Sequence, residues 1–72
     1  MSNQNYYNIK DKIILITGAG GLIGSSIAKQ ASDLGAKLIL TDFDKEKLYK
    51  ITEQLINKNK DIFPIQIDLS SQ

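Results

Sequence analysis

Lys12-Ile13-Ile14-Leu15-Ile16-Thr17-Gly18-Ala19-Gly20-Gly21-Leu22-Ile23-Gly24 decides how this chain of 72 residues reads. Four branched or bulky apolar residues stop at Thr17, three glycines follow within four positions, and an amphipathic pattern begins at Leu22. The pattern is strand, tight turn, helix. An apolar run closed by charge on one side and glycine on the other suits a strand buried on both faces of a parallel sheet. The glycines then serve the backbone: the chain can reverse, approach a ligand closely, and pack helix against strand. A phosphate suits the opening, because the first amides of a helix lack carbonyl partners and the helix dipole is positive there.

Working outward, the spacing predicts a first helix over residues 22–34, with Leu22, Ile23, Ile27, Ala28, Ala31 and Leu34 as its apolar face. Gly35 supplies a left-handed stop. Residues 36–41 read as a second strand ending at Asp42, and Asp44 as the N-cap of a second helix over 45–58 that turns Leu48, Ile51, Leu55 and Ile56 inward. Residues 57–61 form a polar turn. Residues 62–67 read as a third strand, where Pro64 suggests an edge position or the beginning of the strand, since proline cannot donate to a central ladder. Residues 1–11, rich in Asn and Gln and without a period, read as a polar leader, flexible or draped on the surface.

The order β-α-β-α-β with two right-handed crossovers gives a parallel sheet in the order 3-2-1, with both helices on one face. The other face, and the outer edge of the first strand, have nothing left in this sequence to cover them. The fold class is therefore α/β, the N-terminal portion of a Rossmann-type doubly wound sheet, incomplete, with residues 12–72 as part of a dinucleotide-binding domain.

Composition narrows the chemistry. The chain has no Cys and no His, so disulfides and the usual zinc sites are excluded, as are the commonest thiol nucleophile and general base. Its nine basic residues are all Lys against eight acidic ones, a net charge of +1 without a basic stripe, which argues against nucleic acid. No apolar run approaches the roughly 18 residues of a membrane span, and residues 1–11 are too polar for a secretion signal. The expectation is a cytoplasmic protein with no membrane partner and no metal.

The glycine spacing Gly18-x-x-Gly21-x-x-Gly24, with Gly20 extra, gains meaning from Asp42, the acidic residue that dinucleotide folds carry about 20 positions on, at the end of the second strand. A carboxylate there can accept both ribose hydroxyls of adenosine and repel a 2′-phosphate. With Phe43 and Asp44 following and no Arg nearby, NAD is preferred over NADP. Alone, Asp42 also reads as a turn or capping acid.

Thr17-Gly18-Ala19-Gly20-Gly21-Leu22-Ile23-Gly24, followed by Asp42 and by Asp68-Leu69, resembles the N-terminal half of a short-chain dehydrogenase/reductase over residues 10–72. The resemblance implies that Gly18, Ile23 and Gly24 line the pyrophosphate, with Gly21 among the cofactor-binding residues. It further implies that Asp42 holds the adenosine ribose and that Asp68 with Leu69 contacts the adenine. Asp68 has an independent reason to be there, since a carboxylate at the carboxyl end of a strand lies on the ligand side of such sheets. One departure bears on subfamily. The commoner reductases write T-G-x-x-x-G-x-G, whereas this loop has the T-G-x-x-G-x-x-G of the extended subfamily of sugar-nucleotide epimerases and dehydratases. The long second helix and the Asp-Leu-Ser-Ser after the third strand resemble the reductases.

The family's catalysis rests on a Ser and a Tyr-x-x-x-Lys far downstream of the loop, the Lys lowering the phenol's pKa. Tyr6-Tyr7-Asn8-Ile9-Lys10 matches that spacing but precedes the first strand, and Tyr49 has Glu53 where Lys is needed, so no catalytic residue is assigned. The expectation is the cofactor-binding half of an NAD-dependent oxidoreductase, inactive alone. Its partners in the full-length protein are the dinucleotide, a small-molecule carbonyl or alcohol substrate, and further copies of itself as a homo-oligomer. The alternatives are an epimerase or dehydratase, or a nucleotide-binding remnant without catalysis.

Overall fold

Each apolar run becomes a strand and each amphipathic segment a helix in the computed structural model, which describes residues 8–67. The order is β1 (Ile13–Thr17), α1 (Leu22–Asp33), β2 (Lys37–Asp42), α2 (Lys45–Ile56) and β3 (Ile62–Gln66). The three strands form one parallel sheet in the order β1-β2-β3, with Ile14 level with Leu38 and Ile62, and Ile16 level with Leu40 and Pro64. The N–H of Ile67 donates to the carbonyl of Asp42. By the twofold strand period, Phe63 and Ile65 also turn their amides toward β2, so the missing N–H of Pro64 falls on the outer side of an edge strand.

That same period sorts the side chains. Ile16, Leu38, Leu40 and Ile62 are buried under the helices, whereas Ile13 and Leu15 on the opposite face are 71% and 60% exposed. Phe63 and Ile65 are exposed with them, so this face of the sheet lies open at β1 and β3 among the described residues.

Helix α1 corrects the expected inward face. Its buried residues are Ala28, Ala31 and Ser32, while Leu22, Ile23 and Ile27 are 90%, 76% and 50% exposed. The cause is close approach. Ala19, Ala28, Ala31 and Ala36 all belong to the core, and a stripe of small side chains lets α1 sit nearer the strands than bulky residues would permit. Ile23, Ile27 and Leu34 form a second stripe, on the flank away from α2 and therefore over the unpaired edge of β1. α1 stops at Asp33, and the N–H groups of Gly35 and Ala36 donate to the carbonyls of Ser32 and Ala31, a Schellman closure with Gly35 at φ 87°.

α2 is capped as expected, the Asp44 carboxylate accepting from the Lys47 N–H at 3.1 Å. It ends at Ile56, which is exposed; Thr52 takes the inward place, its hydroxyl donating to the Leu48 carbonyl at 2.8 Å. In the turn that follows, the Asn59 amide donates to the Ala36 carbonyl at 2.8 Å and to the Ser32 hydroxyl at 3.3 Å, joining the end of α1 to the approach to β2. Before β1, the Asp11 N–H donates to the Gly35 carbonyl and Ile9 packs on the core, so residues 9–11 are docked. The remainder of the expected leader, residues 1–7, lies outside the described residues, as do residues 68–72. Among the described residues no helix is long and apolar enough to cross a membrane.

Candidate functional site

The end of β1 and the beginning of α1 are held apart by a turn whose amides are allotted one by one. Gly18 takes a left-handed φ of 63°, which a side chain would resist. The Ala19 N–H donates to the Thr41 carbonyl at 3.0 Å, the Gly20 N–H to Asp42 Oδ2 at 2.9 Å, and the Gly21 N–H to the Gly18 carbonyl at 2.9 Å. Gly21 is the N-cap of α1, with no side-chain cap. The next three amides, of Leu22, Ile23 and Gly24, are those a helix leaves unpaired, and no partner for them occurs among the described residues. No acidic residue occupies the first turn of α1 to neutralise them.

Gly24 is where helix and loop touch. A Cβ there would run into the carbonyl oxygen of Gly18, so only glycine allows α1 to begin so close to the turn. Gly18, Gly21, Ile23 and Gly24, expected from sequence, thus converge on one mouth, with Ile23 and Leu22 projecting their side chains outward.

Asp42, at the end of β2, is brought to the same loop. The residue is only 8% exposed, and its carboxylate accepts two main-chain N–H groups, Gly20 on Oδ2 and Asp44 on Oδ1, each at 2.9 Å. Each oxygen has further lone-pair capacity, so the group both clamps the loop and can take additional donors. Asp68 and Leu69 lie outside the described residues.

Sequence reasoning left Gly20 as an extra glycine. In the structure a Cβ on it would stand 2.5 Å from Lys47 Cβ, 2.9 Å from the Lys47 carbonyl carbon and 3.0 Å from Asp42 Oδ2. Gly20 is therefore where β1's turn, β2's carboxylate and the first turn of α2 meet. The doubled glycine Gly20-Gly21 was the available signal.

A strand, a glycine turn, open helix amides and a clamping carboxylate one strand over meet at one mouth, where unpaired N–H groups stand at the positive end of the helix dipole. The family profile described as short chain dehydrogenase matches residues 12–72. The chain belongs to that family. Among its relatives is the CLA biosynthesis dehydrogenase/reductase of Lactiplantibacillus plantarum, 32% identical over 65 residues that make up 90% of this chain and 23% of the relative. A short chain dehydrogenase/reductase of Burkholderia phymatum, solved in complex with NAD, superposes with a TM-score of 0.80 at 30% identity, covering 88% of this chain and 22% of that one. A short chain dehydrogenase of Escherichia coli complexed with NADPH superposes at 0.77 with 29% identity, covering 89% and 27%. The chain thus spans about a quarter of the length of the family members it matches. Its β-α-β-α-β unit is the N-terminal portion of their Rossmann-type fold.

Proposed function

We propose that this chain is the cofactor-binding half of an NAD-dependent oxidoreductase. The observation that carries the reading is the Gly20–Asp42 clamp beside the open amides of Leu22, Ile23 and Gly24. In this reading those amides and Gly18 receive the pyrophosphate, Gly21 and Gly24 keep the passage clear, and Ile23 covers one side. The remaining lone pairs of Asp42 accept the hydroxyls of the adenosine ribose, and Asp68 with Leu69 meet the adenine.

A bound nicotinamide would supply hydride exchange with a carbonyl or alcohol substrate. In this reading the residues of this segment bind and orient, and no proton exchange is assigned to any of them. Relatives solved with NAD and with NADPH leave the choice of dinucleotide to the residues themselves. A 2′-phosphate beside the Asp42 carboxylate is repelled, which favours NAD. We further infer a cytoplasmic, homo-oligomeric enzyme in its full-length form.

Calorimetric titration of the full-length protein tests the site. Asp42→Asn, which keeps an amide oxygen to accept from the Gly20 N–H, should weaken NAD about tenfold or more, a loss near 1.4 kcal/mol, while changing NADP affinity far less. Equal losses for both would remove Asp42 from the ribose site. The Gly18-x-x-Gly21-x-x-Gly24 spacing supports a second reading, a sugar-nucleotide epimerase or dehydratase, in which a longer C-terminal region forms a substrate domain. Retention of the nicotinamide in tightly bound form through turnover, with no net oxidation of substrate, would favour that reading.

A further inference from the structure

Helix α2 turns Lys47 and Gln54 toward α1 and seats Leu48, Ile51 and Leu55 on the sheet. Its remaining flank looks away from α1, over the outer edge of β3. That flank carries Lys45, Tyr49, Glu53 and Ile56, at i, i+4, i+8 and i+11, which the 3.6-residue period brings onto one stripe. All four are exposed. The Lys45 ammonium stands 5.9 Å from the centre of the Tyr49 ring, within cation–π range, so these two side chains meet on the stripe. Below it, Pro64 has no N–H to offer on the outer side of β3, which bars a further strand from pairing there. A neighbour on this side therefore meets the side chains of α2.

The stripe is complementary to itself. Tyr49 stands midway between a cation four residues before it and a carboxylate four residues after it, each about 6 Å away along the helix axis. Two copies of α2 laid antiparallel about a twofold axis at Tyr49 bring Lys45 of each opposite Glu53 of the other, with the two Tyr49 rings at the centre. A parallel arrangement sets Lys45 on Lys45 and Glu53 on Glu53, and is repelled. Exposed ion pairs are individually weak, but the twofold axis makes this one occur twice. Ile56 extends the stripe beyond Glu53 with apolar surface.

We propose that this flank of α2 docks a second copy of the chain, antiparallel and across a twofold axis at Tyr49, with Lys45 of each copy against Glu53 of the other. The proposal rests on the homo-oligomeric reading above and names the surface that serves it. One helix flank is at the small end of protein interfaces, below about 1,200 Å², so the pairing is reversible and depends on concentration.

Charge reversal in the full-length protein, read by analytical ultracentrifugation over a range of concentrations, tests it. Lys45→Glu and Glu53→Lys should each raise the midpoint concentration of self-association about tenfold, because each sets like charges opposite one another. The double reversal only exchanges the two ends of the stripe and should restore the parent's midpoint. Circular dichroism should be unchanged in all three. Independently, Tyr49→Cys should oxidise to a covalent dimer in which mass spectrometry finds residue 49 linked to residue 49, whereas Lys50→Cys, on the α1 side of the same helix, should not link to itself. A parent that stays monomeric at every concentration would overturn both this surface and the homo-oligomeric reading. Self-association that ignores both single reversals, or a double reversal that weakens it further, would overturn this surface alone.

Discussion

Adding one methyl group at Gly20 is the sharpest probe of how the loop is held. The new Cβ would sit 2.5 Å from Lys47 Cβ, about 0.9 Å short of the 3.4 Å at which ordinary contact begins. Neither Lys47 Cβ nor its carbonyl carbon can swing aside by changing rotamer, since both are fixed by the backbone of α2. The loop must therefore retreat. A retreat of that size stretches the Gly20 N–H to Asp42 contact from 2.9 Å well past the ~3.2 Å limit of an N–H···O bond. Losing a hydrogen bond to the charged carboxylate of a residue that is 8% exposed costs roughly 1.5–3 kcal/mol, and residual crowding adds up to about 1 kcal/mol more. For Gly20→Ala we expect a loss of about 2–4 kcal/mol, a fall in Tm on the order of 10 °C in the full-length protein. NAD affinity should fall with it, because the open amides of α1 move with the loop. Thermal unfolding, amide hydrogen exchange at residue 20 and calorimetric titration read the three effects. A variant within about 0.5 kcal/mol of the parent that still protects the residue 20 amide would refute the clamp, since surface substitutions without such contacts fall in that range.

Other substitutions separate the remaining contacts. Gly24→Ala gains about 1 kcal/mol of helix propensity but meets the Gly18 carbonyl, and overpacking of roughly 1–3 kcal/mol should prevail; Gly21→Ala, whose Cβ has 3.3 Å to the same oxygen, should cost less in both unfolding and NAD titration. Asn59→Ala removes the donor to the Ala36 carbonyl and should destabilise by about 1–2 kcal/mol in denaturant titration, without altering NAD affinity of the folded protein. Asp44→Ala removes the cap of α2 and should cost about 1 kcal/mol by the same measurement. The 72-residue chain in isolation should bind a hydrophobic dye and have little NAD affinity, since Ile13, Leu15, Phe63 and Ile65 stand uncovered; cooperative unfolding of a monomer without dye binding would contradict this.

The sequence by itself determined the order of the elements, the parallel sheet and the position of the mouth. Those features are written in local chemistry: runs of Ile and Leu for strands, glycine at the turn and after α1, Asp44 before α2. The strand period of two also left alternate residues of each strand on a face with nothing to cover it, and the structure shows Ile13 and Leu15 to be those of β1. Only the tertiary structure decided which flank of α1 turns inward. Two apolar stripes compete on that helix, and a helical period cannot rank Ile23, Ile27 and Leu34 against Gly24, Ala28 and Ala31. The small stripe wins because packing on β1 and β2 rewards close approach more than side-chain size. Asp42 shows the same division. Its place at the end of β2 was legible, but its grip on the Gly20 amide, and the contact of Gly20 with Lys47, join residues more than twenty positions apart that only folding brings together.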